Sequence, residues 1–136
     1  MRLPILFLLL CCTPFSQSPA QQKLSDLPYL DGGHERHVLD IYLPAQKSDQ
    51  LRPVIFWIHG GGWQAGSRIS YQHWGPWLAE RGFVVMAINY RLSKPGQKTY
   101  PQAAHDVRAA VQFLRSKAET YKVDPERIGM MGDSAG

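Results

Sequence analysis

Cysteine is almost missing from this sequence. Its two copies, Cys11 and Cys12, are adjacent and sit near the amino terminus. No cysteine follows them, so the body of the chain is expected to fold without disulfides and to use no thiol nucleophile. Long hydrophobic runs are lacking too. The run from 3 to 12 is far short of the roughly 20 apolar residues that a membrane-crossing helix needs, so no stable membrane span is expected. Charge of one sign is nowhere concentrated: 15 Lys and Arg face 11 Asp and Glu, for a net charge of +4, and no five basic residues are consecutive. That scatter describes a solvated mixed surface, and no nucleic-acid partner is expected. Internal repeats and low-complexity segments are also absent. What remains, 136 residues that are 44% hydrophobic and 19% charged, suits one ordinary domain.

Residues 1–20 have the layout of a secretory signal. Arg2 supplies the positive start, residues 3–12 the apolar core, and Ser18 and Ala20 the small residues that a signal peptidase reads. Leu10 stands where a lipid-anchoring signal wants a small residue before the cysteine, so cleavage is favoured over anchoring. The expected location is secreted or periplasmic, with residues 21–136 as the mature part.

Two stretches carry chemistry. Gly132, Asp133, Ser134, Ala135 and Gly136 read Gly-x-Ser-x-Gly, after an apolar run at 127–131 that can form a strand. A serine between two glycines at the end of a strand is the pattern of a nucleophile elbow. The turn there is sharp, the backbone is strained, and side chains on either flank would strike neighbouring backbone. Upstream, His59, Gly60, Gly61, Gly62 and Trp63 follow the five apolar residues 54–58. Three consecutive glycines let backbone N–H groups approach a carbonyl oxygen closely. Such preorganised donors are worth roughly 3–4 kcal/mol each in the transition state of acyl transfer.

The text around these stretches alternates strand and helix. Residues 21–27 are polar and are expected to be unstructured, and 27–30 to form a short strand. Between 36 and 43, Leu39, Ile41 and Leu43 fall on one face and Asp40 and Tyr42 on the other, as in a half-buried strand. These two are expected to pair antiparallel at a sheet edge. Residues 71–81 read as one helix capped by Ser70, with Pro76 an awkward interruption. Trp74, Trp77 and Leu78 in it are expected to be core. The run 83–88 reads as a strand, and 89–100 as a loop that either borders the substrate cleft or simply connects. A helix opened by Pro101 carries Ala104, Val107, Val111, Leu114 and Ala118 as its apolar stripe. His105 and Asp106 are adjacent, so their side chains diverge on that helix and neither is expected to be catalytic. His34 and His37 have no acidic or cysteine cluster beside them, so no metal site is expected. No cofactor is expected either. The succession implies a mostly parallel sheet with right-handed crossovers.

On the HGGG and GDSAG residues together, the chain resembles the α/β-hydrolase family. More narrowly, it is similar to the carboxylesterase and lipase group, including hormone-sensitive-lipase-like and xylan- or feruloyl-ester-cleaving enzymes. The resemblance covers about residues 24–136. It implies Ser134 as nucleophile and the N–H groups of Gly61, Gly62 and Ala135 as the oxyanion hole, with Trp63 N–H able to replace one of them. It also implies a structural His59, and an Asp133 whose side chain binds loop backbone instead of serving in the triad. The indole of Trp63 either lines an acyl pocket or packs over the strand end. The implied function is a serine carboxylic-ester hydrolase acting on a small-molecule or polysaccharide ester. An amidase such as an arylformamidase, a peptidase, or a non-catalytic module on the same fold are the alternatives. Nothing in the sequence bears on oligomeric state.

In this fold the triad acid and base follow the nucleophile, in the order Ser, Asp or Glu, His. All five histidines of this chain precede Ser134. The sequence is therefore expected to be the N-terminal part of an α/β-hydrolase, cut at the elbow and inactive by itself.

Overall fold

The computed structural model describes residues 21–136; the expected signal at 1–20 lies outside them. Strands β1 (Gln22–Pro28), β2 (Val38–Leu43), β3 (Arg52–Ile58), β4 (Val84–Ile88) and β5 (Val123–Gly132) form one mixed sheet in the order β1-β2-β4-β3-β5. β3 lies parallel to both β4 and β5, and β2 lies antiparallel to β4 and to β1. Between the strands come a 3-10 turn (Arg68–Tyr71) and helices α1 (Trp74–Ala79), α2 (Gln102–Ser116) and α3 (Ala118–Tyr121). Parallel neighbours need crossovers, and α1 and α2 supply them on opposite faces. This is the α/β-hydrolase arrangement that the resemblance implies.

Two apolar layers hold it together. Val54 and Phe56 of β3 face Ala110 and Leu114 of α2, along with Leu39, Ile41, Met86 and Val123. Trp57 of β3 faces Leu78 and Ala79 of α1, with Tyr42, Val85 and Ala87. Alternate residues of one strand thus feed opposite layers, as the period of two requires. Each fully buried Phe, Leu or Ile contributes on the order of 2 kcal/mol through area removed from water.

Several local expectations are corrected. Residues 22–28 are the edge strand β1 and not an unstructured start. β1 bulges between Leu24 and Leu27, where Asp26 takes a φ of 58°, and the bulge breaks the alternation that sequence reading relies on. β2 is buried on both faces and not half-buried, because the first layer covers Leu39 and Ile41 and the second covers Tyr42. Asp40 survives there because Lys23 Nζ reaches it at 3.0 Å and Arg68 Nε at 2.7 Å.

The single helix expected at 71–81 is split into the 3-10 turn and α1. Ser67, and not Ser70, caps the turn by accepting from the Ile69 N–H. The proline ring would strike the carbonyl four residues back, so α1 begins at Trp74 and Pro76 falls in its first turn, where no N–H is needed. The shorter helix leaves Trp74 and Trp77 at the surface, 50% and 44% exposed. Trp74 stacks on Trp57, and the Arg81 guanidinium covers Trp77 at 3.6 Å.

The stripe of α2 is also rotated from the expected one. Its most buried line is Asp106, Ala110 and Leu114, while Ala104 is exposed. β5 starts earlier than expected and runs through the turn at 124–126 with a register irregularity.

Among the described residues β5 pairs only with β3, so its outer N–H and C=O groups face outward, and Met130 and Met131 beside them are exposed. Bare strand edges flanked by apolar side chains template aggregation. Residues 21–136 expressed by themselves are expected to aggregate or to melt without a cooperative transition. Thermal circular dichroism with sedimentation checks this, and a soluble monomer with a sharp melt contradicts it.

Candidate active site

The two glycine-rich stretches meet because β3 and β5 end side by side. In their parallel register Ile58 stands opposite Gly132, so the chain leaves both strands at the same edge of the sheet. Open α/β sheets bind ligands at the carboxyl ends of their strands. The two exits are joined directly: the Gly60 N–H donates to Asp133 Oδ1 at 2.9 Å. Asp133 thus holds loop backbone.

Backbone approaches backbone closely at this junction. A Cβ on Gly60 would lie 2.7 Å from the Asp133 carbonyl oxygen. One on Gly136 would collide with the Ile58 carbonyl, and one on Gly132 with Gly136. The glycines on either side of Ser134 are therefore required by crowding. Ser134 itself has a φ of 53°, a left-handed conformation that a serine adopts only where surrounding structure imposes it. Gly136 N–H closes the turn onto the Asp133 carbonyl at 2.8 Å. Among the described residues no side chain hydrogen-bonds to Ser134.

The bend after β3 is equally tight. Gly61 has a φ of 112°, Gly62 59° and Trp63 58°. The Gly61 carbonyl accepts from the N–H groups of Gln64 and Ala65, both at 3.0 Å. The N–H groups of Gly61, Gly62, Trp63 and Ala135 donate to no partner among the described residues. Four unused donors from two loops therefore gather at one edge. Gly62, Trp63 and Ala135 of this group border an open cavity of about 1050 Å³, which Ile58, Tyr90 and the loop at 93–100 also line. Gly61 and Ser134 are not part of that lining. The Trp63 indole lines the cavity and is 55% exposed, so it is not packed over the strand end.

The loop at 93–100 is built as part of the cavity wall and is more than a connection. Its Ser93 N–H donates to the Trp63 carbonyl at 2.7 Å, and Ser93 Oγ accepts from the Thr99 N–H at 3.1 Å.

Beneath this wall lies an ionic cluster that sequence reasoning missed. Asp106 is 1% exposed. It accepts from Arg91 Nη2 at 2.6 Å, Arg91 Nε at 2.9 Å and the Arg91 N–H at 2.9 Å. His37 Nε2 is 3.0 Å from Asp106 Oδ1. The His34 N–H donates to His37 Nδ1 at 2.8 Å, so Nε2 carries the ring proton and donates to the carboxylate. Burial alone would raise the Asp106 pKa, but the Arg91 bonds and the His37 ring outweigh it and hold the carboxyl below its ordinary range. The cluster fixes the start of α2 to the loop leaving β4. The one sequence signal was an acid placed in line with Ala110 and Leu114 on the buried face. Among the described residues no group of three or more His, Cys, Asp or Glu side chains is arranged to hold a metal.

A family model described as BD-FAE matches residues 39–136. The chain belongs to the BD-FAE family, of α/β-hydrolase type. This BD-FAE chain is 45% identical to arylacetamide deacetylase of Bos taurus over 101 residues, covering 71% of the chain and 25% of that protein. Among solved structures it resembles an inhibited esterase B from Lactobacillus rhamnosis, with a TM-score of 0.76 and 28% identity, covering 85% of this chain and 37% of that one. It also resembles a truncated carbohydrate esterase from gut microbiota, with a TM-score of 0.73 and 30% identity, covering 88% and 41%. The BD-FAE chain thus spans about a quarter of the length of the arylacetamide deacetylase it matches.

Replacing Asp106 by Asn in the whole protein leaves the partly exposed Arg91 and the buried His37 facing a neutral amide. The expected loss is about 2–3 kcal/mol, below the usual range for a broken buried pair because Arg91 is partly exposed. A carboxyl whose pKa is lowered by folding stabilises above its unfolded value, near 3.9, and the benefit vanishes as pH falls through the folded value. Denaturation midpoints of the two proteins are expected to differ most above about pH 5 and to converge in stronger acid.

Proposed function

We propose that this chain carries the nucleophile and the oxyanion loop of a secreted serine carboxylic-ester hydrolase. The carrying observation is the convergence of the triple-glycine bend and the strained Ser134 turn at one sheet edge, joined by the Gly60–Asp133 bond. In this reading Ser134 is the nucleophile, and the N–H groups of Gly61, Gly62 and Ala135 receive the oxyanion, with the Trp63 N–H beside them.

The chemistry follows from those roles. Ser134 Oγ bonds to the ester carbonyl carbon while its proton passes to a histidine base supplied after the elbow. The carbonyl oxygen takes up negative charge and is held by backbone N–H groups that need no reorganisation. Collapse breaks the bond to the alcohol, which leaves with the proton from the base. Water then adds to the acyl-enzyme by the same route and releases the acid and Ser134. In this reading the acid and base follow the nucleophile in chain order, as the fold prescribes. The signal-like residues 1–20 support export. The substrate is a small-molecule or polysaccharide ester, with acetyl, feruloyl or short-chain acyl groups. The similarity to a protein named carbohydrate esterase supports the polysaccharide option.

One observation favours an amide substrate as a second reading: a relative at 45% identity is named arylacetamide deacetylase. The same nucleophile and donors serve both bonds.

The whole protein is expected to hydrolyse p-nitrophenyl acetate, and Ser134→Ala is expected to reduce kcat by at least about 10⁴-fold with the fold intact. Retained turnover in the variant sinks the assignment. Faster turnover of acetanilide than of phenyl acetate selects the amide reading.

A further inference from the structure

Arg36 lies between β1 and β2, remote in sequence from both glycine-rich stretches, yet its guanidinium sits against the loop leaving β3. Its Nε donates to the Tyr90 carbonyl at 2.7 Å and its Nη2 to the Gly66 carbonyl at 2.9 Å. The same Nη2 is 3.3 Å from His59 Nε2. A guanidinium can only donate, so His59 Nε2 must present its lone pair, and the ring proton must sit on Nδ1. That nitrogen is 2.7 Å from the Gly60 carbonyl oxygen, to which it donates.

The ring has no freedom to turn away. His59 is fully buried and stacks on Tyr90, with centroids 4.4 Å apart and planes at 12°. The Tyr90 hydroxyl donates to the His59 carbonyl at 2.7 Å. A Cβ on Gly66 would lie 2.5 Å from His59 Nδ1, so the loop closes over the ring. Burial lowers the basicity of His59, and Arg36 lowers it further, against the opposing pull of the Gly60 carbonyl and Asp133. The ring is therefore neutral, and its tautomer is set by the hydrogen bond at the far nitrogen.

The consequence reaches the oxyanion donors through one rigid unit. A trans peptide is planar, with its C=O and N–H on opposite sides. Holding the Gly60 carbonyl toward His59 turns the Gly61 N–H the other way, and that N–H has no partner among the described residues. On its amino side, Gly60 is held by Asp133. Both peptides around Gly60 are thereby fixed, one by the elbow and one by the Arg36–His59 pair.

We infer that Arg36 is a positioning residue: through the His59 imidazole it fixes the Gly60–Gly61 peptide so that the Gly61 N–H faces the oxyanion. The kinetic part of this inference rests on the hydrolase reading above, and the tautomer part does not.

The test compares the whole protein with its Arg36→Met and Arg36→Lys variants, using ¹⁵N-labelled histidine and p-nitrophenyl acetate. His59 is expected to show only the Nδ1–H tautomer in the parent and a mixture in Arg36→Met. The kcat of Arg36→Met is expected to fall about tenfold, less than the 10²–10³ of losing an oxyanion donor outright. KM stays unchanged, and Arg36→Lys recovers part of the loss. His59→Asn places an amide N–H near the Nδ1 position without a second ring nitrogen to fix. In that background Arg36→Met is expected to cost less than about twofold, because the two residues act as one unit. Multiplying losses would mean that Arg36 only braces Tyr90 and Gly66, and would overturn the inference. An Nε2–H tautomer in the parent protein overturns it without any variant. If the parent hydrolyses neither ester nor amide, the hydrolase reading fails, and the tautomer measurement still decides the relay.

Discussion

The parallel pairing of β3 with β5 is the constraint on which the rest depends. Its register puts Ile58 opposite Gly132, and everything chemical begins one or two residues later on each strand. From there the hydrogen bond between Gly60 and Asp133 converts two neighbouring strand ends into one site. The contact is backbone against backbone, so it demands glycine at 60, 132 and 136 and leaves neither loop room to relax. Strain at Ser134 persists because that packing over-determines it. A slip of the register by one residue would turn every side chain of β5 to the wrong face and carry Ser134 away from the triple-glycine bend.

A second level of order comes from buried charge. Asp40 and Asp106 are each 1% exposed, and each is retained by partners from distant segments. Asp40 gathers Lys23 and Arg68 at one side of the sheet. Asp106 gathers Arg91 and His37 under the cavity wall. Such pairs add little net stability over apolar residues of the same shape, and their value lies in position. The Asp40 pairs tie the edge strand β1 and the 3-10 turn to β2, and the Asp106 cluster ties the loops holding His37 and Arg91 to α2. Arg36 extends the same logic with neutral acceptors, bridging the Tyr90 and Gly66 carbonyls and the His59 ring.

Sequence reading succeeded where one local rule dominates. The apolar runs at 54–58 and 83–88 could hardly be anything but central strands, and Gly-x-Ser-x-Gly after a strand left few conformations for Ser134. It failed where a neighbour overrides the local rule. β1 looked polar because one face of an edge strand is wet and a bulge interrupts its period. Trp74 and Trp77 looked like core because indoles usually are, but Pro76 set where α1 could begin, and this turned both rings toward the surface. Asp106 looked incidental because an acid on an apolar stripe carries no mark of the arginine that neutralises it.

By itself, then, the sequence determined the motifs and the alternation of strand and helix, since these follow from residue types at short spacing. Only the tertiary structure decided that the two motifs share one edge, that Trp63 lines the cavity, and that Arg36 reaches His59. Those facts depend on contacts between segments tens of residues apart, set by strand register and buried charge pairing, and no local pattern encodes them.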